Sequence, residues 1–126
     1  MDTLQQHQYS KHLNRAKGSL SEQLAVDYLI SKGYDIVETN WQCSIGEIDI
    51  IARYQEYLVV VEVKSRTTNN YGSGLEAINY TKQNKIVNTT LAYIQHKDLD
   101  VSIRFDAIQL DKYNNITHII DAFYSS

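Results

Sequence analysis

The run of hydrophobic patterns predicts a mixed α/β domain, a central sheet flanked by helices, with elements in the order α-β-β-β-α-β-β. Three observations predict it. Helical spacing of apolar residues appears twice, after Gly18 and after Thr81. Apolar or alternating runs of strand length fill the segments between and after them. The 126-residue chain contains no proline to interrupt any of these runs.

In "SLSEQLAVDYLISKGY", Leu20, Leu24, Ala25, Tyr28 and Leu29 recur at helical spacing. Ser19 followed by Glu22 matches a capping box, and Gly33 is a natural stop. A short strand is expected at Tyr34–Glu38. "EIDIIAR" (Glu47–Arg53) and "YLVVVEVK" (Tyr57–Lys64) read as a hairpin across Tyr54–Glu56. "TTNNYGSG" (Thr67–Gly74) is a loop by its turn-forming residues. A second helix is expected over about Lys82–His96, capped by Thr81, with Ile86, Val87, Thr90, Leu91 and Ile94 on one face. Val101–Leu110 and Asn115–Phe123 are the last two strands. Residues 1–17 read as a mobile arm and residues 18–126 as one domain, in keeping with the length.

Composition narrows the class of protein. A 43% hydrophobic and 21% charged chain fits a soluble globule. The lone Cys43 excludes an internal disulfide, and no Cys/His spacing suggests zinc. Neither a membrane span nor a secretory signal is visible, so a cytoplasmic location is expected, with no membrane partner. The net charge of −3 is unhelpful for binding nucleic acid. Local cations partly answer it: Lys11, Arg15 and Lys17 before the first helix, and Arg66, Lys82 and Lys85 after the "VEVK" strand.

The chemistry concentrates at the end of that strand. Tyr57, Val59, Val61 and Val63 fall on one face, and Leu58, Val60, Glu62 and Lys64 on the other. A merely solvated face would be polar at Leu58 and Val60 as well. The strand is apolar on both faces until its last residues, as expected of a central strand covered on both sides. The partner strand carries Glu47, Asp49, Ile51 and Arg53 on one face and Ile48, Ile50 and Ala52 on the other. A register pairing 49 with 62 brings both acids to one face. It also sets Arg53 opposite Leu58, Glu47 opposite Lys64, and leaves the loop Tyr54–Tyr57. A slip of one residue would send Asp49 to the other side.

Two carboxylates about 5 Å apart repel by roughly 3 kcal/mol at an effective dielectric near 20. Either a proton or a cation must offset this. Oxygen ligands from two acids, completed by water and phosphate, suit Mg²⁺ or Mn²⁺. Lys64 on the same face would orient a water or stabilise charge on a phosphate. Spacing alone also allows a solvated salt-bridge face.

The chain from Gly18 to Ile108 resembles the YraN-like family of small bacterial proteins, most specifically in "GEIDIIA" and "VEVKSR". That family is regarded as restriction-endonuclease-like, with the PD-(D/E)xK nuclease core also found in archaeal Holliday-junction resolvases. The resemblance implies that Asp49 and Glu62 are metal-binding acids and Lys64 the motif lysine. It implies that Glu22 is the helix-borne acid added to the metal site, although the capping box accounts for a glutamate there too. Arg66 and Lys82 match the family's arginine and downstream lysine, and with Lys85 would contact phosphate. Ile48-Asp49 replaces the literal Pro-Asp.

The function so implied is a Mg²⁺- or Mn²⁺-dependent endonuclease acting on branched or single-stranded DNA in recombination or repair. The Val63 carbonyl is a further candidate ligand. A homodimer fits a substrate with two strands to cut, and a recombination or repair protein is a candidate partner. The alternative is a catalytically inactive nucleic-acid-binding or scaffolding protein on the same fold. Elsewhere, Glu47 reads equally as a partner for Lys64 or a ligand, and "YGSG" as a turn. Arg104 and Asp106 read as a structural ion pair. His7, His12, His96 and His118 show no ligand spacing. Trp41 and the ten tyrosines offer faces for base stacking, although most read as core or half-buried sheet residues.

Overall fold

A computed structural model describes residues 19–65 and 79–123. The expected arm (1–17), the loop Thr67–Gly74 and Arg66 lie outside the described residues. Helix α1 spans Leu20–Ser31, followed by β1 (Asp35–Gln42), β2 (Glu47–Tyr54) and β3 (Tyr57–Ser65); helix α2 spans Tyr80–Lys97, followed by β4 (Ser102–Leu110) and β5 (Ile116–Phe123). The five strands form one sheet in chain order, antiparallel except where β3 runs parallel to β4. That parallel pair requires a crossover, which α2 supplies.

Alternation along β3 divides the core in two. Val59 and Val61 join Ile50, Ala52 and Ile108 under Ala25, Val26 and Leu29 of α1. Leu58 and Val60 join Ile51, Phe105 and Ala107 under Ile86 and Tyr93 of α2. Both faces of β3 are therefore covered, as its sequence requires.

The caps follow local chemistry. The Ser19 hydroxyl accepts the Glu22 N–H at 3.2 Å, half of the expected capping box. Gly33 closes α1 with φ +92°, a conformation that costs glycine little. Leu20, expected on the apolar face, is instead exposed, and Val26 is buried. Helix α2 begins at Tyr80 rather than near Lys82, because Asn79, not Thr81, caps it by accepting the Lys82 N–H at 2.9 Å. The first strand is longer than expected. A register shift between Ile36 and Glu38 and a positive φ at Asn40 hide its alternation.

The hairpin register is the expected one. Arg53 pairs with Leu58 and Ile50 with Val61, so the pairing extrapolates to 49 with 62. Tyr54 also pairs with Tyr57, which shortens the loop to Gln55 and Glu56. One expectation fails. Ile48 belongs to the core cluster under α2 while Ile50 belongs to the one under α1, so β2 changes faces at Asp49. Glu47 accepts a hydrogen bond from the Gln42 carboxamide of β1, its ladder partner there.

The Arg104–Asp106 ion pair forms as expected, with Nε–Oδ1 at 2.9 Å and Nη2–Oδ2 at 2.8 Å. It anchors a larger polar cluster. Asp106 also meets His118 Nε2 at 2.7 Å and the Asp121 N–H at 3.0 Å, His118 Nδ1 meets the Tyr28 hydroxyl, and Arg104 donates to the Tyr34 hydroxyl.

Candidate functional site

The site is built where β2 and β3 part. The regular ladder ends at Ile50–Val61. One step beyond, Asp49 Oδ2 accepts the Val63 N–H at 2.9 Å, so a side chain takes over the bond that a ladder carbonyl would have made. This holds the Asp49 carboxylate in the gap between the strands. Glu62, 7% exposed, projects on the α2 side. Its Oε1 lies 3.0 Å from Lys82 Nζ and 3.7 Å from Lys64 Nζ. The helix start set by Asn79 is what brings Lys82, in the first turn of α2, over the strand end.

The electrostatics follow from burial and like charge. Burial, then the charge of Glu62, pushes the Asp49 carboxyl up from 3.8 to about 7; the Val63 N–H offsets part of this, while Glu22 and Glu47 add to it. Burial and the neighbouring Lys82 hold the Lys64 ammonium below its ordinary value. Burial alone would lower Lys82 too, but its contacts with Lys64 and Glu62 more than offset that and raise it. Asp49 is therefore a carboxyl poised between protonated and charged forms near neutral pH, beside a glutamate bridged by two lysines.

The structure thus brings Asp49, Glu62, Lys64 and Lys82 together. Glu22, in the first turn of α1, adds its charge to those that raise the Asp49 carboxyl. Among the described residues, no three His, Cys, Asp or Glu side chains converge as a metal cage. Mg²⁺ and Mn²⁺ need no such cage, because they bind through one or two carboxylates with water and substrate oxygens. The donor chemistry of Asp49 and Glu62 fits such an ion. Lys85 is exposed, and its stem lies against the turn before β2. A Cβ added at Gly46 would stand 3.2 Å from Lys85 Cε and 2.9 Å from the Thr89 hydroxyl, so α2 packs there on bare backbone. Trp41 is half-buried and packs against the core cluster under α2, edge-on to Tyr93 at 5.1 Å.

Two amides beside the site carry no motif. Gln109 on β4 pairs with Lys64 in the parallel register, and its Oε1 is buried without a hydrogen-bond partner. Asn40 on β1, with both carboxamide atoms in the same condition, stands across from Asp49. The available signal was a strand-breaking Asn inside "VETNWQ", a residue type depleted in strands. A cavity of about 160 Å³, lined by Thr90 and Asp121 as well as Val87, Leu91, Ile103 and Phe105, includes none of these residues.

The profile of the uncharacterised protein family UPF0102 matches residues 21–110. The chain belongs to the UPF0102 family. It is 43% identical over 119 residues to a UPF0102 protein of Clostridium beijerinckii, covering 90% of this chain and 97% of the relative. A UPF0102 protein of Legionella pneumophila is 45% identical over 114 residues, covering 88% and 97%. One from Caldanaerobacter subterraneus is 43% identical over 116 residues, covering 84% and 93%. UPF0102 membership bears out the YraN-like resemblance. These names state a family and no reaction. No helix among the described residues is long and apolar enough to cross a membrane.

Proposed function

We propose that this UPF0102 chain is a divalent-cation-dependent phosphodiesterase cutting DNA, with branched or single-stranded DNA as substrate. We read its fold as restriction-endonuclease-like. The supporting features are the α-β-β-β-α-β-β order and the acids at the end of a central strand that leaves an antiparallel hairpin. The observation that carries the reading is the half-buried Asp49 carboxyl, driven to about 7 largely by desolvation and Glu62, with Lys64 and Lys82 beside Glu62.

Asp49 and Glu62 would hold Mg²⁺ or Mn²⁺, with the Val63 carbonyl and Glu22 as further candidates. Such an ion polarises a phosphoryl oxygen and lowers the pKa of a bound water. Lys64, with its lowered pKa, would orient the attacking water and balance charge developing on phosphate. Lys82, released from Glu62, would meet phosphate oxygens together with Lys85 and Arg66. Tyr80, exposed at the start of the same helix, offers a face for base stacking. A homodimer would serve a junction with two strands to cut.

One observation favours the rival reading of an inactive binding or scaffolding protein. The 3.0 Å Lys82–Glu62 pair neutralises Glu62 without any metal. The decisive experiment incubates junction, flap and single-stranded DNA with Mg²⁺ or Mn²⁺, comparing wild type with Glu62→Ala. Cleavage by the wild type alone supports the enzyme. DNA binding without cleavage in either metal supports the scaffold.

A further inference from the structure

Asn40 is an expensive residue for a strand. Its φ is 52°, in the left-handed region that side chains avoid, although asparagine tolerates it better than most. Its carboxamide Oδ1 and Nδ2 are both shut away from solvent, and neither has a hydrogen-bond partner. Burying even one such atom unpaired costs about 1–3 kcal/mol. Glycine would meet the backbone demand and bury no polar atom. Strain and unpaired polar groups of this kind concentrate where a site has a use for them.

The register says what is nearby. Thr39 pairs with Ile50 and Trp41 with Ile48, so Asp49 is the residue opposite Asn40. Both strands depart from regularity at this rung: β1 through the φ of Asn40, β2 through the change of face between Ile48 and Ile50. Asp49 has already given Oδ2 to the Val63 N–H. Among the described residues no three His, Cys, Asp or Glu side chains group as a metal cage, which leaves room for a neutral oxygen donor. Hard divalent cations readily accept an asparagine carbonyl oxygen beside carboxylates.

We propose that Asn40 is a further protein donor of the site, its Oδ1 adding a neutral oxygen to those that Asp49 and Glu62 offer a divalent cation, directly or through one water. The inference rests on the phosphodiesterase reading of the same site, and it explains why β1 carries a strained, unsatisfied amide at this rung.

The test is Asn40→Gly, which keeps the positive φ and removes the amide. Mn²⁺ affinity, measured without DNA by calorimetry or electron paramagnetic resonance, should fall roughly tenfold or more. The thermal midpoint should stay level or rise. A purely structural asparagine predicts the reverse, a lower midpoint with Mn²⁺ affinity unchanged, and that result overturns the inference. Wild type and Asp49→Asn run alongside. If the wild type binds no Mn²⁺, the phosphodiesterase reading and this inference fall together. If Asp49→Asn abolishes binding while Asn40→Gly binds as the wild type does, only the role of Asn40 falls. A second measurement needs no substitution. Mg²⁺ titrated into the wild type should shift the Asn40 side-chain amide resonances and leave those of Gln95, near the far end of α2, in place. Unmoved Asn40 resonances overturn the inference.

Discussion

Replacing Asp49 with asparagine should stabilise the protein at pH 8 and leave its stability nearly unchanged at pH 4. In the folded chain the carboxyl titrates at about 7, against an ordinary 3.8. Between those values the folded state keeps a proton that the unfolded state has lost, so the slope of stability against pH is negative there. The penalty is absent below about pH 4 and complete above pH 7. A gap of about three pH units corresponds to about 4 kcal/mol, a ceiling because the charge is shared with Glu62 and cushioned by the lysines; about 2–4 kcal/mol is the expected range. Asparagine keeps an oxygen to accept the Val63 N–H, so the hydrogen bond at 2.9 Å survives the change. The assay is urea denaturation of both proteins at half-unit steps from pH 4.5 to 8.5. The two stabilities should diverge as pH rises, and excess Mg²⁺ should narrow the gap by stabilising only the wild type. Parallel curves would refute the account of Asp49 as a half-buried carboxyl raised by its neighbours.

Two other substitutions test the scaffold. Asp106→Asn should cost about 3–5 kcal/mol in chemical denaturation, because it strands the Arg104 guanidinium without its buried counter-ion. Burial alone would raise the Asp106 pKa, but hydrogen bonds from His118, Arg104 and the Asp121 N–H hold it below its ordinary value. The stability it gives is therefore present above about pH 4 and is lost as pH falls through the depressed value. Gly46→Ala should cost about 1–3 kcal/mol through overpacking against Thr89, and Thr89→Ala beside it should recover part of the loss.

The site was legible where chemistry and local pattern coincide. Val59–Val63 announce a strand covered on both faces, and a two-residue period fixes which hairpin register lets Asp49 and Glu62 meet. What escaped was non-local or irregular. The change of face at Asp49 arises because a carboxylate substitutes for a ladder carbonyl, which a regular pleat cannot foretell. Asn40 carries its meaning in a backbone angle and an empty hydrogen-bond shell. In sequence Lys82 offers only a phosphate contact; its ion pair with Glu62 depends on how α2 docks. His118 has no ligand spacing because its partners, Asp106 and Tyr28, come from other elements.

That last cluster has a kinetic side. Asp49 and Val63 are 14 residues apart in sequence, and one hairpin brings them together. Tyr28 and His118 are 90 apart, and Tyr34 and Arg104 are 70 apart. Short segments meet fast and long ones late, since closure entropy grows with the length enclosed. The reactive hairpin can thus reach its register early in the chain's collapse, while the tyrosine–histidine clasp fastens the first helix to the last strand only when the whole sheet is in place.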